Sequence, residues 1–598
     1  MIMAKGISTA AFIWSILLQV DTNSFVIANE SNDVHATTLS DNNDDPQNRV
    51  PPDCGLVMAP SSIDSAGWGV FTLVDRPRGS PLAAGDVVIQ VSDINVTHGI
   101  GMQRLVYDYA WNAAETGGQY EGQSVLSLIP GLGMLANGSP HKFSLLPVLE
   151  PSVDEAGVTR HSSPGAGAFT HYHNYSFHAA RDISAGEEVL VNYGPIWFRD
   201  GRRDLTQAEE EKRLQQNKED LMKTGYCLDN LKSADSTIPH AGRGAFATRD
   251  LDRGSIVAPV PVVPITKREA LDISRIKQVS ETQYVTAHLK QLLLNYCFGH
   301  PKSSVLLFPY SPIVSLINHA RGVKTPNVRL QWSSSNQQHE ILTLEDLREI
   351  NRQGTYHKST GGLLLELVAL EEIKNGEEIV MDYGQVWEDA WQQHVQSWTP
   401  YEKAYAPAFA ADEGITILST QKELEDKPNP SNLITSCFYR YHKDDPALHA
   451  RGDPARNISS APWQLQPGIF ELRNLRPCTI MQRTEVDNTQ DDSSDVYGPL
   501  VGDWYPQDQR HSTGSQLHTH TQDKEPSYYY TVVVRNRYGL HADERVPLGH
   551  VHIATQVPRR AIRFTDKIYT TDQHLEGAFR EPIGLGDDIF PQQWMDLA

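Results

Sequence analysis

The stretch Asn375-Gly376-Glu377-Glu378-Ile379-Val380-Met381-Asp382-Tyr383-Gly384 decides the reading of this chain. It is a short apolar run bounded by glycines and closed by Tyr383, as a strand between turns should be. A close copy stands earlier, Ser184-Ala185-Gly186-Glu187-Glu188-Val189-Leu190-Val191-Asn192-Tyr193-Gly194. Working outward from the pair, Ala66-Gly67-Trp68-Gly69-Val70-Phe71 matches Ala241-Gly242-Arg243-Gly244-Ala245-Phe246, and Leu135-Ala136-Asn137 stands where Leu316-Ile317-Asn318 stands. Three anchors in one order, twice, point to an internal duplication.

The later copy adds Ile313-Val314-Ser315-Leu316-Ile317-Asn318-His319-Ala320, continued by Thr325-Pro326-Asn327-Val328. Together with Gly242–Asp250 and Asn375–Gly384, these segments resemble the signature of SET-domain methyltransferases. The resemblance covers residues 54–392 and implies a mainly β fold with interspersed helices: two tandem SET-like modules of small knotted sheets, followed by a β-rich C-terminal region. It also implies S-adenosylmethionine chemistry, with Gly242, Arg243 and Gly244 along the methionine end of the donor and Asn318 and His319 holding it. Glycines let backbone approach a ligand closely because no Cβ intervenes, and an asparagine offers both donor and acceptor. Tyr383 is the catalytic candidate, since a phenol beside the methyl group orients the amine and stabilises developing charge. The implied acceptor is a protein lysine, whose amine must lose a proton before attack. A desolvated, aromatic-lined channel favours that loss. Tyr296 and Tyr310 are secondary candidates for lining such a channel, with core packing the simpler reading of both.

The first copy departs from the pattern, because Gly138 follows Asn137 where the second copy has His319. It reads as a degenerate module with Tyr193 retained and a binding or scaffolding role. Neither copy is followed by the cysteine-rich zinc segment that closes the site in many histone methyltransferases. Trp387 and Trp391 either close the site instead or form the core face of a surface helix. A non-catalytic SET-like scaffold of the secretory route or cell surface is therefore the alternative to an enzyme.

At 598 residues the chain exceeds the ~250–300 at which a single core stops growing. Its formal charge of −22, with no dense Lys/Arg block, argues against a nucleic-acid partner. Lys5 precedes an apolar run from Ile7 to Val20, and Val26 and Ala28 stand at small-residue spacing. This predicts a signal peptide over 1–28, cleaved after Ala28, and a secreted or lumenal chain, with an uncleaved anchor or an organellar signal as alternatives. Five sequons accompany it, at Asn29, Asn95, Asn137, Asn174 and Asn457. The five cysteines, with no Cys-x-x-Cys, predict no metal site and leave room for one or two bridges, such as Cys437–Cys478.

The expected organisation is a disordered leader over 29–53, modules over 54–200 and 226–392 joined by a helical linker over 201–225, and a β-rich region over 393–598. A polar loop near 488–525 interrupts that last region, and Ser527–Val534 reads as a strong strand. The histidines at 518, 520, 541, 550 and 552 read as chance neighbours rather than a metal set. Val285, Leu289, Leu292, Leu293 and Tyr296 fall on one face at 3.6 spacing and predict a helix over 280–297.

Overall fold

The computed structural model describes residues 50–597 except 64–65, 83–84, 93–100, 104, 113–124, 148–151, 154–157, 194–215, 279–283, 321–323, 354–361, 403–404, 406–407, 413–414, 442–443, 446–447, 449–457, 467–468, 471–473, 486–527, 536–545, 547–548 and 568–570. The segments expected to be a signal peptide and a polar loop, most of those expected to be a leader and a linker helix, and His518, His520 and His541 lie outside the described residues. Among those described, no helix is long and apolar enough to cross a membrane.

The protein is mainly β, built as several small sheets with few helices. In the later half, Leu231–Asp235, Arg243–Ala247, Glu378–Met381 and Asn318–His319 form one four-stranded sheet in that order. The last pairing is parallel, Asn318 beside Val380 and His319 beside Met381. It draws a segment 62 residues upstream (380 − 318) in against the Asn375–Gly384 run. A second sheet runs Val328–Trp332, Leu363–Ala369, Ile256–Ile265, Leu306–Pro309, Phe298–Gly299 and Ile583–Gly584. Its Leu363–Ala369 strand is buried along its whole length, so its near-continuous apolar sequence needs no alternation.

The earlier half shows matching bonds. Asn137 donates from Nδ2 to Trp68 O at 2.8 Å, as Asn318 does to Arg243 O at 2.9 Å. The Glu188 carboxylate accepts from Ser61 and Ser62, as that of Glu378 does from Ser236 and Thr237. Tyr193 donates its hydroxyl to Ala136 O, as Tyr383 does to Ile317 O. Gly138 bridges Val191 in parallel. Both halves contribute to one continuous apolar core, with Leu56, Val70 and Tyr226 in the same cluster as Leu306, Leu365 and Trp594.

The helix expected over 280–297 is not formed. Tyr284–Lys290 is a strand paired with Asp272–Gln278, and a 3-10 turn follows over Leu292–Tyr296. Hairpin pairing of a run containing β-branched Val285 and Thr286 overrides the helical spacing of its apolar residues. The 3-10 turn still buries Leu292, Leu293 and Tyr296.

The C-terminal region forms a six-stranded sheet ordered Ile458–Pro462, Val551–Pro558, Tyr528–Arg535, Leu475–Glu485, Leu433–Phe438, Ile562–Asp566, with its own core around Phe438, Tyr530 and Val532. His550 and His552 are fully buried there and both bond Ser459 Oγ, at 2.9 and 2.6 Å. Residues past 571 leave this sheet and return to the earlier one, where Ile583–Gly584 pairs in parallel with Phe298–Gly299 and Trp594 is fully buried. Two disulfides are present, the anticipated Cys437–Cys478 and an unanticipated Cys54–Cys227.

Asp566 fastens the C-terminal sheet to the first half. It accepts from Ala408 N and Asn432 Nδ2 and, at 3.4 Å, from the Tyr172 hydroxyl. Burial pushes its carboxyl up to about 6, against an unfolded value of 3.8. A carboxyl whose folded pKa is raised stabilises the fold below its unfolded value and loses that contribution as pH rises through the folded one. The melting temperature of Asp566→Asn, followed from about pH 4 to about pH 7, should therefore lack a downward component that the wild type shows across that window. Parallel profiles would refute this.

Candidate functional site

Gly244 sits in the Arg243–Ala247 strand, where an added Cβ would lie 2.5 Å from Glu378 Oε1. The glycine is required because a carboxylate occupies the space beside it. Glu378 accepts from Ser236 Oγ and Lys324 Nζ, each at 2.6 Å, from Thr237 N at 3.0 Å, and from the Thr237 hydroxyl. Burial opposes ionisation of this carboxyl, but the donors around it, Lys324 foremost, outweigh burial and hold it below the usual carboxylate range. Gly242 has φ +70°, the left-handed region that favours glycine, and its carbonyl accepts from Ser236 N at 2.9 Å.

Asn318 binds this turn to the threaded segment, since its Nδ2 donates to Arg243 O and, at 3.2 Å, to Ser236 Oγ. His319 accepts at Nδ1 from the Tyr383 amide at 2.9 Å, and its Nε2 lies 3.1 Å from the Glu388 carboxylate. Those partners assign the proton of the neutral ring to Nε2. The ring is held between Tyr383 and Trp387, with centroids at 5.3 and 5.1 Å.

Arg243, Asn318, His319 and Tyr383 converge on one cleft enclosing about 940 Å³ of space free of protein atoms, open mouth included. Gly242 and Gly244 are not part of its lining; they shape the turn behind it. Ser315 Oγ, also in the lining, is buried and accepts or donates no hydrogen bond. Trp387 and Trp391, stacked with planes 6° apart, form an aromatic wall with Phe579, which meets both edge-on. They lie on the helix Gln385–Ser397, and Trp391 is buried. Tyr296 also lines the cleft, and burial pushes its phenol well above the ordinary value. Tyr310 packs on Tyr109 at 5.2 Å and belongs to the core.

Sequence reasoning missed Phe579, Asn295 and the wall from the first half, Phe169, Thr170 and His173. None sits in a recognisable pattern, because each reaches the cleft through non-local packing. In the first half, a Cβ at Gly138 would lie 2.3 Å from Tyr193 Cδ2, so the ring of Tyr193 covers the position that His319 occupies in the second. Asn137 is buried and doubly bonded through its amide, which leaves no room for a glycan. Cys54, Cys227 and Asp229 cluster closely enough to hold a metal ion, but the two thiols are spent in a disulfide.

Residues 242–384 match the SET domain family, so this part of the chain carries a SET domain. No curated protein matches the chain. Among solved structures, it is similar to a candidate histone methyltransferase of Plasmodium falciparum, at 15% identity and a TM-score of 0.16 over 27% of this chain and 96% of that one. It is also similar to the polycomb repressive complex 2 of Chaetomium thermophilum, at 16% identity and 0.17 over 30% of this chain and only 18% of that one. A third is KRYPTONITE in complex with DNA, a histone H3 peptide and SAH, at 18% and 0.14 over 26% and 23%. The functional reading therefore rests on the 242–384 match and on the cleft itself.

Proposed function

We propose that the cleft is the active site of an S-adenosylmethionine-dependent protein-lysine N-methyltransferase, acting through the second of two SET-like modules. The observation that carries the reading is the convergence of Arg243, Asn318, His319 and Tyr383, from three separate segments, on one aromatic-walled cleft inside the SET-matching region. The donor fits this lining chemically. Ser315 Oγ is an unused polar group, and Arg243 and Asn318 stand beside it. Those three residues would hold the donor, which supplies an electrophilic methyl on its sulfonium.

The chain's own residues account for the rest. Tyr383 commits its hydroxyl proton to Ile317 O, so its oxygen offers lone pairs to an incoming amine N–H. Trp387, Trp391 and Phe579 exclude water and lower the cost of a neutral acceptor amine. His319 orients Tyr383 from behind through the Tyr383 amide. In the first module, Tyr193 lies over Gly138 and fills the equivalent space, which favours a structural role for that copy.

The test is a calorimetric titration of S-adenosylmethionine into the full chain. One donor should bind per chain, and Asn318→Ala should weaken it about tenfold, the worth of one good hydrogen bond. A well-folded protein that takes up no donor would leave the SET-like scaffold without this chemistry.

A further inference from the structure

The cleft is lined partly by the chain's own residues 163–170, a strap from the first half that no part of the SET-matching region supplies. Its main chain is read by side chains of the second half and the C-terminal segment. Arg580 donates to Gly167 O and Asn295 Nδ2 to Ala168 O, each at 2.7 Å. Thr170 N donates to the Tyr296 hydroxyl oxygen, and His394 Nε2 meets Pro164 O, each at 2.8 Å. Ser163 Oγ lies 2.9 Å from His240 Nδ1. The strap lies flush because two of its residues have no Cβ. At Gly165 one would stand 2.3 Å from His240 O, and at Gly167, with φ +78°, 2.4 Å from Asp572 O.

Between these anchors Phe169 turns its ring into the cleft. A Cβ at Gly242 would lie 2.8 Å from Phe169 Cζ, so the tip of the ring rests against the backbone of the Gly242–Gly244 turn. Phe169 is only half-buried, and Arg243 and Asn318 share the cleft with it. A ligand approaching that turn meets an aromatic ring first.

We propose that Phe169 is a built-in cap on the cleft, its ring tip seated against the Gly242 turn that backs it, and that the ring must move aside before the donor seats fully. This rests on the donor reading given above. A protein that binds only when a minor, uncapped arrangement is populated shows an affinity reduced by that population. Removing the ring removes the reduction without touching Ser315, Arg243 or Asn318.

The experiment titrates S-adenosylhomocysteine into full-length wild type, Phe169→Ala and Phe169→Leu by calorimetry, with thermal melts to establish that each is folded. Phe169→Ala should bind about tenfold more tightly than wild type, with Phe169→Leu between them. Equal affinity in all three, or weaker binding by Phe169→Ala, overturns the cap while leaving the donor site standing. Absence of binding in all three, including the uncapped variant, overturns the donor reading and the cap with it. Should the alanine variant melt early, the leucine variant decides, because it keeps an apolar side chain on the strap while retracting it from Gly242.

Discussion

Replacing Cys54 and Cys227 together by alanine is expected to cost about 5 kcal/mol of unfolding free energy, the chain-entropy value for a loop of this length. The bridge spans 173 residues. It also lies in a small apolar cluster with Val50, Val57, Phe71 and Leu221, so removing the two sulfurs thins a packed site. The bridge fastens the strand pair in which Val57 faces Cys227, the point where the second half begins by completing a sheet of the first. Cys437–Cys478 spans 41 residues and should be worth about 1 kcal/mol less on the same relation. Denaturant unfolding of the two double variants measures both. A loss below about 1 kcal/mol for the longer bridge would mean that the unfolded chain is already restricted without it.

Glu378→Ala should cost about 1–3 kcal/mol, the range for leaving buried hydrogen-bonding groups unsatisfied, since Lys324 is partly exposed and water takes up its ammonium. The side chain is 2% exposed, and its removal strands two hydroxyls and the Thr237 amide. Glu378→Gln keeps the shape but turns an amide N–H₂ toward groups that donate, so an intermediate loss is expected. The same bonds give a pH signature. The folded pKa of Glu378 is depressed, so its contribution is present above the unfolded value of 4.5 and is lost as pH falls through the lower folded value. This slope is opposite in sign to that of Asp566 and lies at lower pH. Melts of Glu378→Gln and wild type should therefore converge on acidification below about pH 4.5. Because Asn318 shares Ser236 with Glu378, the variant should also loosen the turn that carries Arg243 and weaken donor uptake.

What was legible in the sequence is what local pattern encodes. The strands Val125–Leu128 and Leu363–Ala369 fall where apolar runs between turn residues place them. The Gly376–Gly384 run forms the Glu378–Met381 strand and brings Tyr383 to the cleft. Asn318 and His319 meet that strand because the sequence order of the anchors encodes the threading. The rest depended on partners far along the chain. Residues 284–290 carry an apolar spacing that suits a helix, and only the facing strand 272–278 makes them a strand. Five scattered cysteines leave the pairing of Cys54 open. Phe579 reaches the aromatic wall through Arg580, a half-buried guanidinium bonded to carbonyls of Gly167, Gln573 and Lys290, a junction with no periodicity to betray it.

The return of the C-terminal segment has a consequence for how the protein is made. Gly584 donates its amide to Tyr383 O at 2.9 Å, and Ile583 pairs beside Phe298. A ribosome that has translated the whole SET-matching region has therefore produced a cleft with one side missing. For the time needed to synthesise some two hundred further residues, Trp387 stands without Phe579 against it. A nascent chain stalled or clipped before Phe579 would carry the SET-matching region without the ring that meets Trp387 and Trp391 edge-on.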